Sequence, residues 1–202
     1  MRISNISTGL EGNLLPRDGT ALYFTHVMSE ASAEVYMVQL KTNLEWRHDE
    51  LTIMGRKIKT RRQVAWYGEG ELEYSYSGTS KKALPWTSEL VELKDISERV
   101  TGARYNTCLL NLYHDGTETM GWHADNEPEI EENSSIASIS LGQPRPFLLK
   151  HRRSKEQVSI VLENGSLLEM KDEIQKFWVH SLPRSPKSTG LRINLTFRKM
   201  KV

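Results

Sequence analysis

Cysteine is nearly missing from this sequence: Cys108 is the single one in 202 residues. No intramolecular disulfide can form, and zinc frameworks built on several cysteines are excluded too. A reducing compartment fits this usage, cytoplasmic or, in a eukaryote, nuclear. Long hydrophobic runs are absent as well. No segment approaches the roughly 20 apolar residues that span a bilayer. The N-terminal stretch MRISNISTGLEGNLLPRDG has no apolar run long enough for a signal peptide. A soluble protein with no membrane partner is expected. Neither sign of charge dominates: 27 Lys and Arg stand against 26 Asp and Glu, a net charge of +1. Attraction to a polyanion must then come from local clusters. Repeats, low-complexity tracts and a convincing linker are also lacking, so one monomeric domain over residues 1–202 is expected.

Two basic clusters are present. GRKIKTRR gathers Arg56, Lys57, Lys59, Arg61 and Arg62, and KHRRSK gathers Lys150, Arg152, Arg153 and Lys155. Taken alone, each reads as a solvated hairpin or loop. Two amphipathic helices are legible. Ala33, Tyr36, Met37 and Leu40 follow the i, i+3, i+4, i+7 spacing, with Ser29 or Ser32 as N-cap. Leu90, Leu93, Ile96 and Val100 form the second face, which stops near Gly102.

Most of the remainder alternates with period two, the mark of strands with one buried face. In TCLLNLYHDG, Leu109, Asn111 and Tyr113 share a side opposite Cys108, Leu110 and Leu112. In LRINLTFRK, Leu191, Ile193, Leu195 and Phe197 oppose Arg192, Asn194, Thr196 and Arg198. The pair Asn164-Gly165 predicts a turn joining two strands as a hairpin. Short strands with early helices indicate a mainly β protein, a sandwich or jelly roll supported by helices.

The segment GWHADNEPE holds His123 and Asp125 two residues apart. On an extended chain both project to one side and could grip one ion. Such a pair is a weak signal until joined by His180, which shares a strand face with Trp178 and could lie on a neighbouring strand. Two His and one carboxylate on one octahedral face are the ligand set of non-haem Fe(II) oxygenases, with positions left open for cosubstrate and O2. A zinc hydrolase could use the same ligand types. The C-terminal strand discriminates between them. Arg192 and Arg198 on one face would be costly to bury without an anion, and the planar guanidinium suits a small di-acid. Asn111 and Tyr113 supply further hydrogen-bonding groups. The alternative is an edge strand with a wet face.

These residues together resemble the AlkB family of Fe(II)/2-oxoglutarate dioxygenases. The resemblance rests on NLY (Asn111 to Tyr113), WHADNEP (Trp122 to Pro128), IASISLG, GSLLEM, WVHSLP and RINLTFR, in that order. It implies a double-stranded β-helix core over about residues 101–202. About residues 1–100 would supply supporting helices and a nucleotide-recognition lid. It implies that His123, Asp125 and His180 hold Fe(II). Arg192, Asn194 and Tyr113 would hold the distal carboxylate of 2-oxoglutarate, with Asn111 and Arg198 near its chelating end and Thr196 lining the pocket. The implied reaction uses O2, yields succinate and CO2, and removes an N-methyl group from a base as formaldehyde.

AWYGEGELEYSYSG is similar to the recognition hairpin of the repair branch, which acts on DNA with alkylated bases such as 1-methyladenine and 3-methylcytosine. Enzymes of this kind extrude the base and hold it by stacking and edge contacts. By resemblance Tyr76 would stack on the base and His123 would close the other side. Tyr74 and Ser77 would touch base or backbone, and Arg61 or Arg62 would meet phosphate or enter the gap. The repair branch commonly has a second Asp after the metal ligand, followed by Glu; here Asn126 precedes Glu127. An amide there can bond a base edge but brings no charge, and Glu127 could keep the negative field. Alternatives are an RNA demethylase of the same mechanism, an inactive alkylated-base binding module and a cupin-like zinc protein. The last leaves the RINLTFR face unexplained.

Overall fold

The computed structural model describes residues 12–201 except 54–55, 71–72 and 77–78, with residues 49–53, 56–58, 73–76 and 79–81 described by backbone alone. In chain order come β1 (Thr20–Phe24), α1 (Glu30–Asn43), β2 (Arg47–Ile53), β3 (Arg56–Gly68), β4 (Glu73–Tyr76), β5 (Thr79–Lys82) and β6 (Leu84–Pro85). There follow α2 (Ser88–Thr101), β7 (Thr107–Tyr113), β8 (Met120–His123), β9 (Ile136–Gly142), β10 (Arg145–His151) and β11 (Gln157–Leu162). The chain closes with β12 (Ser166–Lys171), α3 (Ile174–Phe177), β13 (Trp178–Leu182) and β14 (Arg192–Arg198).

Both expected helices form where local signals place them. The Ser29 hydroxyl caps α1 by accepting from the Ser32 N–H at 3.1 Å. Thr87 caps α2 in the same way, and Gly102, at φ 72°, ends it in the left-handed conformation, its N–H donating to Glu98 O. Their apolar faces pack on the large sheet. Ala33, Leu40, Leu90 and Leu93 form one core with Leu110, Ile139, Leu195 and Phe197. Each leucine so buried contributes roughly 2 kcal/mol.

An eight-stranded sheet runs β1-β12-β9-β14-β7-β3-β2, with β6 beside β3. A second sheet of four strands runs β11-β10-β13-β8. This is the jelly-roll architecture expected from the sequence. A further core unites Tyr23, Ile136, Leu168 and Met170 of the large sheet with Leu149, Ile160 and Trp178 of the small one, so it fills the space between them. Strand β14 is no wet edge: it is paired on both sides, with β7 and β9. One element departs from expectation. The turn at Asn164-Gly165 joins β11 to β12, but these strands belong to different sheets, so it is a crossover and not a hairpin. The Asn164 side chain accepts from the Gly142 N–H at 2.8 Å, which fastens the crossover to the end of β9.

Strand β2 pairs antiparallel with β3, and β4 pairs β5 as a separate ribbon. Among the described residues no helix is long and apolar enough to cross a membrane.

Candidate active site and metal centre

The small sheet places the metal-ligating residues. Strands β8 and β13 pair antiparallel with His123 opposite His180, so both imidazoles leave the same face. Their Nε2 atoms lie 3.1 Å apart, and Asp125 Oδ1 is 3.8 Å from His123 Nε2. One donor atom from each of the three residues falls within 4.8 Å of the others. Two nitrogens and one carboxylate oxygen at this spacing fit Fe(II) and leave room for further ligands.

Local contacts prepare the ligands. His123 Nδ1 lies 2.8 Å from Gly121 O; donating there leaves Nε2 unprotonated toward the ion. Phe147 stacks on the His180 ring at 5.4 Å. Burial, with His123 and Arg198 adding to it and Asp125 opposing, pushes His180 down to about 3, so its imidazole is neutral at physiological pH. Burial alone would raise the Asp125 carboxyl, yet Arg198, His180 and His123 together hold it below the usual carboxylate range. Arg198 Nη2 donates to Asp125 Oδ1 at 2.7 Å. The resemblance puts Arg198 near the cosubstrate; its observed partner is the metal-ligating carboxylate.

The large sheet places the anion site. The register of β14 on β7 sets Arg192 opposite Tyr113 and Asn194 opposite Asn111. Arg192, Asn194, Thr196, Asn111 and Tyr113 all line one cavity of about 600 Å³, which also holds the His123, Asp125 and His180 side chains. Arg192 is 2% exposed. It donates to Ser140 Oγ and Asn194 Oδ1 and lies 5.5 Å from the Tyr113 ring centre. Burial lowers it to about 10, Tyr113 opposing, so it stays a cation at neutral pH. Among the described residues no carboxylate pairs with it, and its Nε is buried without a partner, as is Asn111 Oδ1. A buried guanidinium with no counter-charge calls for an anionic ligand.

The residues expected at the substrate divide. Arg62 and Glu127 line the cavity. Arg62 is buried in its wall, with Nη1 3.3 Å from Met120 Sδ. Arg61 is exposed and lies within 3.6 Å of Asp115 and 3.7 Å of Glu118. Asn126 is exposed and lies outside this cavity, on the wall of a second one. Tyr74 and Tyr76 sit two apart on β4, hence on one face; their side chains, and Ser77, are outside the described residues. Sequence reasoning missed Ser138, Met120 and Phe147 in the cavity wall. The alternation of IASISLG could have found Ser138, whereas Met120 and Phe147 look like ordinary core.

A family model described as the 2OG-Fe(II) oxygenase superfamily matches residues 20–198. DNA oxidative demethylase ALKBH2 of Bos taurus is 33% identical over 205 residues, covering 96% of this chain and 74% of that protein. The chain belongs to the AlkB family of 2OG-Fe(II) oxygenases. The human ALKBH2 is likewise 33% identical, over 96% of this chain and 78% of its own length. Alpha-ketoglutarate-dependent dioxygenase alkB homolog 3 of Rattus norvegicus is 37% identical over 68% of this chain and 49% of its own. The solved structure of OsALKBH1 superposes with a TM-score of 0.65 at 15% identity, covering 92% of this chain and 98% of that one, a likeness of fold. As an AlkB-family dioxygenase the protein uses Fe(II), 2-oxoglutarate and O2, and the His123, Asp125 and His180 cluster has the donor set that iron requires.

Proposed function

We propose that the protein is a DNA repair dioxygenase that removes N-linked methyl groups from alkylated bases of the 1-methyladenine and 3-methylcytosine type. The observation that carries this reading is one cavity with two chemically distinct ends: three metal-type ligands, two on the small sheet and one just beyond it, and an uncompensated guanidinium on the large sheet. Relatives named DNA oxidative demethylase match over nearly the whole chain and point to the substrate class.

His123, Asp125 and His180 hold Fe(II), which when bound supplies the activation of O2. Arg192 receives the distal carboxylate of 2-oxoglutarate, supported by Tyr113 and Asn194. Asn111 meets its chelating end and Thr196 closes the side. Arg198 keeps Asp125 ionised and oriented. The balance is one O2 and one 2-oxoglutarate consumed for one succinate, one CO2 and one N-hydroxymethyl base, whose cationic adduct collapses to formaldehyde, a proton and the base with its ring nitrogen restored. Glu127 sets a negative charge beside a cationic base, Arg62 walls the cavity, and Tyr76 stacks on the extruded base with Tyr74 and Ser77 touching base or backbone. The enzyme acts as a monomer, with residues 1–202 as one catalytic unit.

The test uses an oligonucleotide carrying 1-methyladenine together with Fe(II), 2-oxoglutarate and O2. Formaldehyde and the unmethylated base should appear, and His123→Ala or Asp125→Ala should abolish both. Turnover of 2-oxoglutarate with no demethylation would refute the substrate, and preference for methylated RNA in a mixed assay would move it to RNA. Tight binding without product would make the protein a sensor of damaged bases.

A further inference from the structure

Asp125 lies beyond the end of β8, where strand pairing no longer holds the backbone. Another residue takes over. Gln175, in the single helical turn α3, accepts a hydrogen bond at Oε1 from the Asp125 N–H, at 3.0 Å. The oxygen must be the atom turned to Asp125, because a backbone N–H needs an acceptor. The Gln175 Nε2 is therefore directed elsewhere. It is buried without a partner among the described residues, and Gln175 borders a second cavity of about 470 Å³ that shares Asp125 with the first. A half-satisfied buried amide is unfavourable by itself.

The mount of Gln175 is rigid. Ile174 is 1% exposed in the core between the sheets, and Gly19 approaches it so closely that a Cβ there would come within 2.7 Å of the Ile174 Cα. The Phe177 carbonyl accepts from the Arg152 N–H at 2.8 Å, and β13 with His180 begins at the next residue. Gln175 thus belongs to the same body as His180 and ties the Asp125 segment to it. Arg198 orients the carboxylate, and Gln175 fixes the backbone that carries it.

We propose that Gln175 is a positioning residue of the metal centre, holding Asp125 at its distance from the two imidazoles before an ion arrives. This rests on His123, Asp125 and His180 being the metal ligands. Ligand positions set in advance raise affinity, because the ion need not order them.

The test is a titration of the full chain with Mn(II), followed by the spin-resonance signal of the free ion, with circular dichroism reporting the fold. Gln175→Met keeps the length of the side chain but removes the acceptor, and should weaken Mn(II) binding about tenfold. Gln175→Ala, smaller and free of clashes, should lose as much and serves if the Met variant does not fold. Gln175→Glu keeps an acceptor and should bind within about threefold of the parent. Parent-like affinity in folded acceptor-free variants overturns the proposal, and so does a Glu variant as weak as they are. His180→Ala runs alongside. If it binds like the parent, the ligand assignment fails and the proposal falls with it; if it does not, a parent-like Met variant overturns the role of Gln175 alone.

Discussion

Asn126 and Glu127 are adjacent in sequence, yet only Glu127 borders the cavity that contains the metal-type ligands. On the proposed reading, a charge introduced at Asn126 would act on a cationic base from outside the cavity wall, whereas that of Glu127 would act from within it. Glu127→Gln should raise KM for a 1-methyladenine oligonucleotide about tenfold, or about 1.4 kcal/mol. Asn126→Asp should leave it within about twofold. Steady-state kinetics on both variants, with a neutral methylated base as control, checks this; a strong effect of Asn126→Asp would reverse the assignment. At this scale the sequence was most legible where a residue type was costly in its place. Arg192 and Arg198 stood out because burying them demands a partner, and both are buried. Gln175 carried no such signal, since a glutamine between two turns looks like any surface residue, and its importance exists only once Asp125 folds against it.

Among elements, α1 and α2 are joined by a tyrosine that makes their docking sensitive to alkali. Tyr36 OH donates to Glu92 Oε2 at 2.6 Å, and burial together with that carboxylate raises the phenol to about 12. The folded value exceeds the unfolded value of about 10, so this contact stabilises fully below about pH 10 and is lost as pH climbs toward 12. The stability difference between parent and Tyr36→Phe, measured in urea, should narrow over that range. A constant difference would show that the hydrogen bond contributes nothing. Helix faces and strand alternation were legible because each depends on local periodicity, and the residues of β7 and β14 face as the pattern demands. The crossover at Asn164-Gly165 was not, because a turn signal says that the chain reverses and not which strands pair afterwards. That choice is made by distant residues, with β11 pairing β10 and β12 pairing β1 and β9.

In the whole molecule, the two groups that build the site come from different layers. His123 and His180 stand on the small sheet, while Arg192, Asn194, Asn111 and Tyr113 stand on the large one. A 2-oxoglutarate bound as proposed, at both ends, would therefore staple one sheet to the other. Mn(II) and 2-oxoglutarate together, each at about 100 times its Kd, should stabilise the fold by about 5 kcal/mol, about 2.7 from each ligand. Differential scanning calorimetry should show a rise in Tm with both that exceeds the sum of the rises with Mn(II) alone and with 2-oxoglutarate alone. A rise equal to that sum would mean that the di-acid binds without reference to the metal.

The same staple has a cellular consequence. If the di-acid bridges the layers as proposed, a shortage of iron or keto acid would remove their shared ligand and leave the chain open to proteases for longer. Copies unable to work would then be cleared first, which would tie the lifetime of each copy to nutrient supply.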